Sequence, residues 1–331
     1  MLKFSPRNSP GRRNLVAVCV TVFSVGILHS SFDSLPAGED VADTRSTTLK
    51  SFAEEQVPLP PDAAKTISKN TAENYENDPP EGPSAAQSAA DQMSSMDTLK
   101  FCTLMLKDGA RLMESVGNYT VVFNKEERIN GDLLEPQSID MKVQHKPHFA
   151  VYMKWRVGDR GRQVLYSDEY EDGSMVVKFG GLKRILPALK IDPNCANAKA
   201  ESRYPVTEAG VLGMIRQLLV HREQDLKRGH GVSCVRLPDQ ELDQRKCYSF
   251  LIEYEDQKFS KTYRKTLVNI DARYHIPMLV RNFTWATDAE NLSEAELDQS
   301  TLIENYSFSG VNLESELVAI DFSRENPRYR M

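Results

Sequence analysis

The residues of this 331-residue chain that could do chemistry are six histidines, five cysteines and several clustered carboxylates. His145 and His148 stand three apart around a strand end, a spacing that can bring two imidazoles to one metal ion. No Cys partner or Glu-flanked helical pair accompanies them, so they read as surface loop residues. His275, two residues before Pro277, sits at a bend and reads as structural. Cys102, Cys195, Cys234 and Cys247 show no Cys-x-x-Cys spacing, which gives no zinc or redox site. Reduced, buried thiols are the plainer reading; in an exported chain Cys234 and Cys247 could bridge two neighbouring strands. Glu126, Glu127, Glu253 and Glu255 alternate with other charges and read as a solvated sheet face. Gly-x-Ser-x-Gly, His-Glu-x-x-His, Gly-Lys-Ser/Thr and Gly-x-Gly-x-x-Gly are all missing. The expectation is a protein that is not an enzyme and carries no cofactor or metal.

Two side-chain sets remain that could bind something. Phe149, Val151, Met153 and Trp155 share one side of a strand and, with Tyr166, could line a ligand cavity or simply pack a core. Lys154, Arg156, Arg160 and Arg162, joined by Lys178, Lys183 and Arg184, could meet anionic lipid head groups. The alternative for the basic set is a charged outer face that blunts sheet edges.

These residues need an antiparallel sheet to hold them, and Asn118 to Gly181 supplies one. Tyr119, Val121 and Phe123 alternate, Asn130-Gly131 signals a hairpin, and Ile139, Met141 and Val143 form a second apolar face. Phe149 to Arg156, Val164 with Tyr166, and Met175, Val177 and Phe179 continue the period of two. Before them, Asp97 is a plausible N-cap for a helix with Leu99, Cys102, Leu106, Ala110 and Met113 on one stripe. Leu182 to Lys190 reads as a short helix. A second long helix is expected from an N-cap at Thr207, through Val211, Met214, Ile215, Leu218 and Leu219, to Gly229. The chain then returns to strands around Tyr248 to Tyr254, Thr266 to Ile270, Leu279 to Trp285 and Tyr306 to Phe308, with a loop at Leu237 to Lys246 and a polar stretch from Thr287 to Ser300. The fold class is α+β, mainly β: a curved antiparallel sheet of about ten strands packed on two or three helices.

The N-terminal third has a different character. Lys3, Arg7, Arg12 and Arg13 precede the apolar run Leu15 to Leu28, the pattern of a signal peptide or signal anchor over residues 1–30. The run is short for a bilayer span, and small residues at a cleavage site are poorly placed, so cleavage and retention both stay open. Residues 31–95 hold 7 of the 17 prolines and 12 acidic against 4 basic residues, which predicts a disordered acidic linker. Residues 96–331 are left as a single β-rich domain. The formal net charge of −6 argues against nucleic acid as a partner. Residues 140–190 nevertheless carry 10 basic and 6 acidic residues, a net of +4 that the linker masks. Asn118, Asn282, Asn291 and Asn305 head Asn-x-Ser/Thr sequons.

Several blocks occur in one order: Tyr119 to Arg128, Tyr152-Met-Lys-Trp155, Gly161 to Tyr166, Arg203 to Gly210, and Glu304 to Phe308 before Asp321-Phe322. On these the chain resembles a bacterial family known as domain of unknown function 1571. That family is similar in architecture to the LolA/LolB lipoprotein carriers, whose curved sheet wraps around helices and leaves an apolar cavity for acyl chains. The resemblance implies an exported protein, periplasmic or anchored facing the periplasm through residues 15–28, that holds a lipid, acyl chain or other apolar ligand. A retained anchor and a long tether suit a tethered binder better than a freely diffusing carrier. The alternative is a protein-interaction or sensor domain without a small-molecule ligand. The bacterial resemblance makes the sequons incidental.

Overall fold

The computed structural model describes residues 93–331, apart from 171, 288–291 and 330. The apolar run Leu15 to Leu28, Cys19, Asn291 and nearly all of the acidic linker lie outside the described residues. Within them, one 12-stranded sheet runs through the protein: β1 (Asn118–Ile129), β2 (Asp132–Leu133), β3 (Gln137–Gln144), β4 (Ala150–Val157), β5 (Gln163–Ser167), β6 (Met175–Lys178), β7 (Leu189–Ile191), β8 (Val232–Leu242), β9 (Arg245–Tyr254), β10 (Lys265–Asp271), β11 (Pro277–Phe283) and β12 (Leu302–Asn312). Four α-helices accompany it: α1 (Ser95–Ser115), the single turn α2 (Ala196–Lys199), α3 (Val211–Arg228) and α4 (Glu294–Thr301). The strand order is β7-β6-β5-β4-β3-β1-β12-β11-β10-β9-β8, with β2 paired to β1, and these pairings are antiparallel. The sheet is open, with β7 and β8 at its two edges. The strand count exceeds the expected ten because β2 and β7 are too short to show a period of two.

The alternating segments from Asn118 onward form strands as expected, and Asn130 and Gly131 both take positive φ in the β1–β2 turn. Four boundaries differ from the sequence reading. Ser94, not Asp97, caps α1: its Oγ accepts the Asp97 N–H while Asp97 sits in the first turn. Thr207 lies in a 3-10 turn, Val206–Glu208, and α3 starts after Gly210. Leu182 to Lys190 divides into a 3-10 turn, Gly181–Ile185, and strand β7. The loop expected at Leu237 to Lys246 is a β8–β9 hairpin turning at Asp243 and Gln244, both at positive φ without a glycine. The Asp243 carboxylate accepts the Gly310 N–H across the chain, a tertiary bond that no local signal announces. The polar stretch before Ser300 contains α4, opened by a Ser293/Glu296 capping box.

Register decides what shares a face. Val143, Val151 and Tyr166 line up across β3, β4 and β5, as do Met141, Met153 and Val164. Tyr119 and Val121 sit opposite Val143 and Met141. This is the inner face. α1 packs on α3 and β8, and α3 approaches β11, so the long helices cover the β8–β11 half. The buried stripe of α1 is Leu99, Cys102, Leu106, Gly109 and Met113, and that of α3 is Val211, Leu212, Ile215 and Leu218. Gly229 ends α3 in the left-handed region, as expected.

The outer face is not simply solvated. Ala150, Tyr152, Leu165 and Val176 lie on it and are buried under Phe322 and Tyr329 of the C-terminal segment. The Tyr152 and Tyr329 rings stack 3.7 Å apart at 7°. Lys142 fastens the segment through Asp321 Oδ1 at 2.6 Å. In the period of two, Tyr152 falls on the same side as Lys154 and Arg156. It shares their face but is buried by a segment more than 170 residues later.

Cys234 and Cys247 are free and buried, in line with the plainer reading and not with the possible bridge between them. The register opposes Cys234 to Ile252 and Cys247 to Gln240. Five residues of β9 therefore separate the two levels, roughly 17 Å at strand rise, beyond the ~7 Å Cα reach of a bridge.

Candidate functional site

Two features of the inner face could bear on function, a buried polar network and an open cleft beside it. The network starts where β1, β12 and β11 lie side by side: Glu127 opposes Glu304, and Glu304 opposes Asn282. Two carboxylates facing each other on neighbouring strands would repel unless each were neutralised locally. Each is. Glu304, fully buried, accepts from Arg203 Nε, from Asn282 Nδ2 at 2.5 Å and from Tyr204 and Tyr263 hydroxyls at 3.2 and 3.3 Å. Thr266 donates to Asn282 Oδ1 at 2.7 Å, which orients the amide with its NH2 toward the carboxylate. Glu127 accepts from Lys125 Nζ at 2.8 Å and from the Tyr306 hydroxyl at 2.5 Å. Lys125 also donates to Glu201 O at 3.2 Å, and Arg162 pairs with Glu201 Oε2 at 2.9 Å. Arg162 lies 4.9 Å over the Trp155 ring, and Trp155 Nε1 donates to Gln137 Oε1 at 2.8 Å.

Burial, reinforced by Glu304, pushes the Tyr263 hydroxyl up to about 12, and the Tyr204 and Tyr306 hydroxyls are raised as well. Burial also raises the Glu201 carboxyl, with Arg162 opposing. The phenols therefore stay protonated and act as donors. The network fastens residues 201–204 across the inner face and keeps Glu127 and Glu304 away from solvent. It is a clasp, since every acid in it is already held by partners.

The cleft, about 630 Å³, opens at the N-terminal end of α3. Phe149, Ala209 and Leu212 give it an apolar wall; His145, Lys146, Glu114, Glu208, Asp168, Arg216 and Gln217 form a mixed-charge rim. Tyr119 positions this end of α3. Its hydroxyl accepts the Val211 N–H at 2.8 Å, taking the place of a side-chain cap that Gly210 cannot supply. Gly210 has φ +93°, and an added Cβ would stand 2.5 Å from that same hydroxyl. Behind the cleft the His145 ring lies 5.7 Å from Tyr119 and 6.0 Å from Phe149, and Phe149 lies 6.1 Å from Tyr166. Burial, helped by Arg216 and opposed by Glu114, lowers the His145 pKa to about 4. His148 points elsewhere: its Nδ1 is 3.0 Å from Glu169, and its Nε2 is 3.2 Å from Gln144. The two imidazoles thus do not converge. His275, at φ 55° in the β10–β11 turn, lies 3.5 Å from Asp108.

Among the residues expected to line a cavity, Phe149 reaches the cleft and Tyr166 stands directly behind it. Val151 is buried next to Tyr166 in register. Met153 and Trp155 lie farther along β4, with Trp155 under Arg162. The basic set divides in two. Lys154, Arg156 and Arg160 are exposed, and Arg156 pairs with Asp140. Arg162 instead turns inward to Glu201. Glu127, read as part of a solvated face, is 3% exposed. A signal for it was present: Lys125 and Glu127 continue the parity of Tyr119, Val121 and Phe123, and Glu304 shares that of Tyr306 and Phe308.

Residues 116–331 match the model of a family described as protein of unknown function (DUF1571). The chain belongs to this family. A search of the curated proteins gave no match. Solved structures similar to this DUF1571 chain include one from the Pseudomonas aeruginosa MucA/MucB complex (TM-score 0.39, 12% identity, 67% of this chain and 60% of that chain). Lipoprotein LppX of Mycobacterium tuberculosis aligns with TM-score 0.37 and 12% identity over 66% of this chain and 97% of its own. A LolA superfamily protein from Nitrosomonas europaea aligns with TM-score 0.27 and 9% identity over 70% and 98%. The sequence blocks that carry the family resemblance meet in space. Tyr119, Lys125 and Glu127, then Trp155, Arg162, Arg203, Tyr204, Gly210, Glu304 and Tyr306 build the clasp and the capped end of α3.

Proposed function

We propose that this DUF1571 member is a non-enzymatic, envelope-facing binding protein that takes an apolar chain with a polar end into the cleft beside α3. One observation supports this reading above others: a cleft of about 630 Å³ has an apolar wall of Phe149, Ala209 and Leu212 and a charged rim. That volume lies within the roughly 300–1,000 Å³ of small-molecule sites. The apolar wall would take a lipid or acyl chain, and Lys146 or Arg216 would meet an anionic end group. The export pattern of residues 1–30 supports an envelope location. A non-catalytic role is supported by the clasp, in which the buried carboxylates of Glu127 and Glu304 are each held by several partners.

The protein-interaction alternative would use the open edge at β8. That edge carries Pro238, Asp239 and a register shift between Leu237 and Gln240, devices that discourage strand addition.

The test is native mass spectrometry and solvent extraction of the full chain, beside Ala209→Trp, which fills the cleft from a partly exposed position. Wild type is expected to carry an extractable lipid or take up a fluorescent fatty acid, and the variant to lose it while keeping its fold. A wild-type protein that carries nothing and takes up nothing, or a variant that binds equally well, overturns the reading.

A further inference from the structure

The loop between β6 and β7 exposes what soluble surfaces ordinarily hide. Leu182 is 96% exposed and Ile185 is 85% exposed, both on the 3-10 turn Gly181–Ile185. Side chains three apart on a 3-10 turn eclipse one another, so the two point the same way. Leu186 and Leu189 extend the apolar surface at lower exposure. Single exposed leucines are ordinary, but a pair held out together on one turn is not.

The loop is braced rather than slack. Gly180 is pressed onto the β4–β5 turn, where an added Cβ would stand 2.6 Å from Arg160 O and Arg162 N. Gly181 N–H donates to Arg160 O at 3.1 Å, and Leu186 N–H donates to Lys183 O at 3.0 Å. Lys178 Nζ donates to Leu186 O at 2.6 Å. The tip is presented by its supports.

Charge identifies the occupant. Residues 173–191 contain Lys178, Lys183, Arg184 and Lys190 and no acidic residue. Lys154, opposite Gln163 and through it level with Lys178, extends the row onto the outer face. An aliphatic tip inside a lysine-rich collar has the composition of an interfacial anchor on an anionic bilayer. Protein interfaces, by contrast, favour aromatic residues and are depleted in lysine.

We propose that the β6–β7 loop docks on an anionic membrane surface, with Leu182 and Ile185 entering the acyl border and Lys183, Arg184 and Lys178 among the head groups. The inference needs no ligand in the cleft and stands or falls apart from it.

The experiment uses the full chain with vesicles of equal parts phosphatidylglycerol and phosphatidylcholine, and with phosphatidylcholine alone. The N-terminal apolar run is common to every variant, so its own contribution cancels. In Leu182→Trp, the added emission over wild type should shift to the blue and be quenched by lipids brominated along the acyl chain, more with phosphatidylglycerol present. The double variant Leu182→Ser with Ile185→Ser should bind the anionic vesicles about tenfold more weakly, with near-ultraviolet circular dichroism unchanged. Unchanged emission on adding vesicles, unchanged affinity of the double variant, or equal response to neutral vesicles overturns the proposal. A blue-shifted emission before vesicles are added does so too, because the tip would then be covered by protein.

Discussion

Glu304 is the residue on which the inner face depends most, because its charge is fully buried and four side chains point at it. Glu304→Gln keeps the shape and removes the charge, leaving Arg203 without its counter-ion. Breaking a buried pair from one side costs about 3–5 kcal/mol, and the lower end applies because Arg203 keeps some solvent contact. Urea denaturation of Glu304→Gln should show that loss. His145 governs acid sensitivity. Its folded pKa of about 4 lies below the 6.5 of the free side chain, so between those values the unfolded chain binds a proton that the folded chain refuses. Stability is therefore lost as pH falls from about 6.5 to about 4, and His145→Asn should flatten the slope of urea midpoint against pH in that window. His221, lowered by its own burial, leaves a residual slope. The apolar residues of this face were legible from the period of two. The acids were not, because alternation says which residues share a side and does not say that the far end of that side is covered by residues 201–204.

At the scale of elements, two contacts set the helices. Gly109 brings α1 against the β10–β11 turn so closely that an added Cβ would stand 2.1 Å from His275 O. Gly109→Ala should therefore destabilise, by about 1–3 kcal/mol, although alanine is the better helix former by about 1 kcal/mol. A fall in melting temperature checks this. Tyr119→Phe removes the cap on α3 and strands the Val211 N–H. The expected loss is about 1–2 kcal/mol, with amide exchange accelerated at the start of α3 before the rest of the helix. This contact also explains why the start of α3 was misread. A local search finds Thr207 as the nearest capping side chain, whereas the group that caps the helix arrives from β1, 92 residues earlier. The α4 capping box at Ser293 and Glu296 was readable in the sequence, but too few apolar residues follow it to announce a helix.

On the scale of the whole molecule, the sheet is covered by different parts of the chain on its two sides, the helices within and the C-terminal segment outside. Ending the chain at Asn312 would remove Phe322 and Tyr329 and expose Tyr152, Leu165 and Val176. Such a truncation should bind a hydrophobic dye and self-associate in size-exclusion chromatography where the full chain does not. The mainly β architecture was legible because long alternating strands dominate it. The order of those strands was not, since periodicity carries no information on neighbours.

That order has a consequence for how the protein comes into being. β12 lies between β1 and β11, so a strand next to the middle of the sheet is made after every other strand among the described residues. Until it arrives, β1–β7 and β8–β11 have no direct pairing, and each leaves an open edge where β12 will lie. The contact between Glu127 and Tyr306 spans 179 residues, a closure that can occur only after Tyr306 has been made. Glu127 and Glu304 then leave water in the same event that joins the two halves. A chain stalled before Leu302 is two incomplete sheets with no strand to pair them.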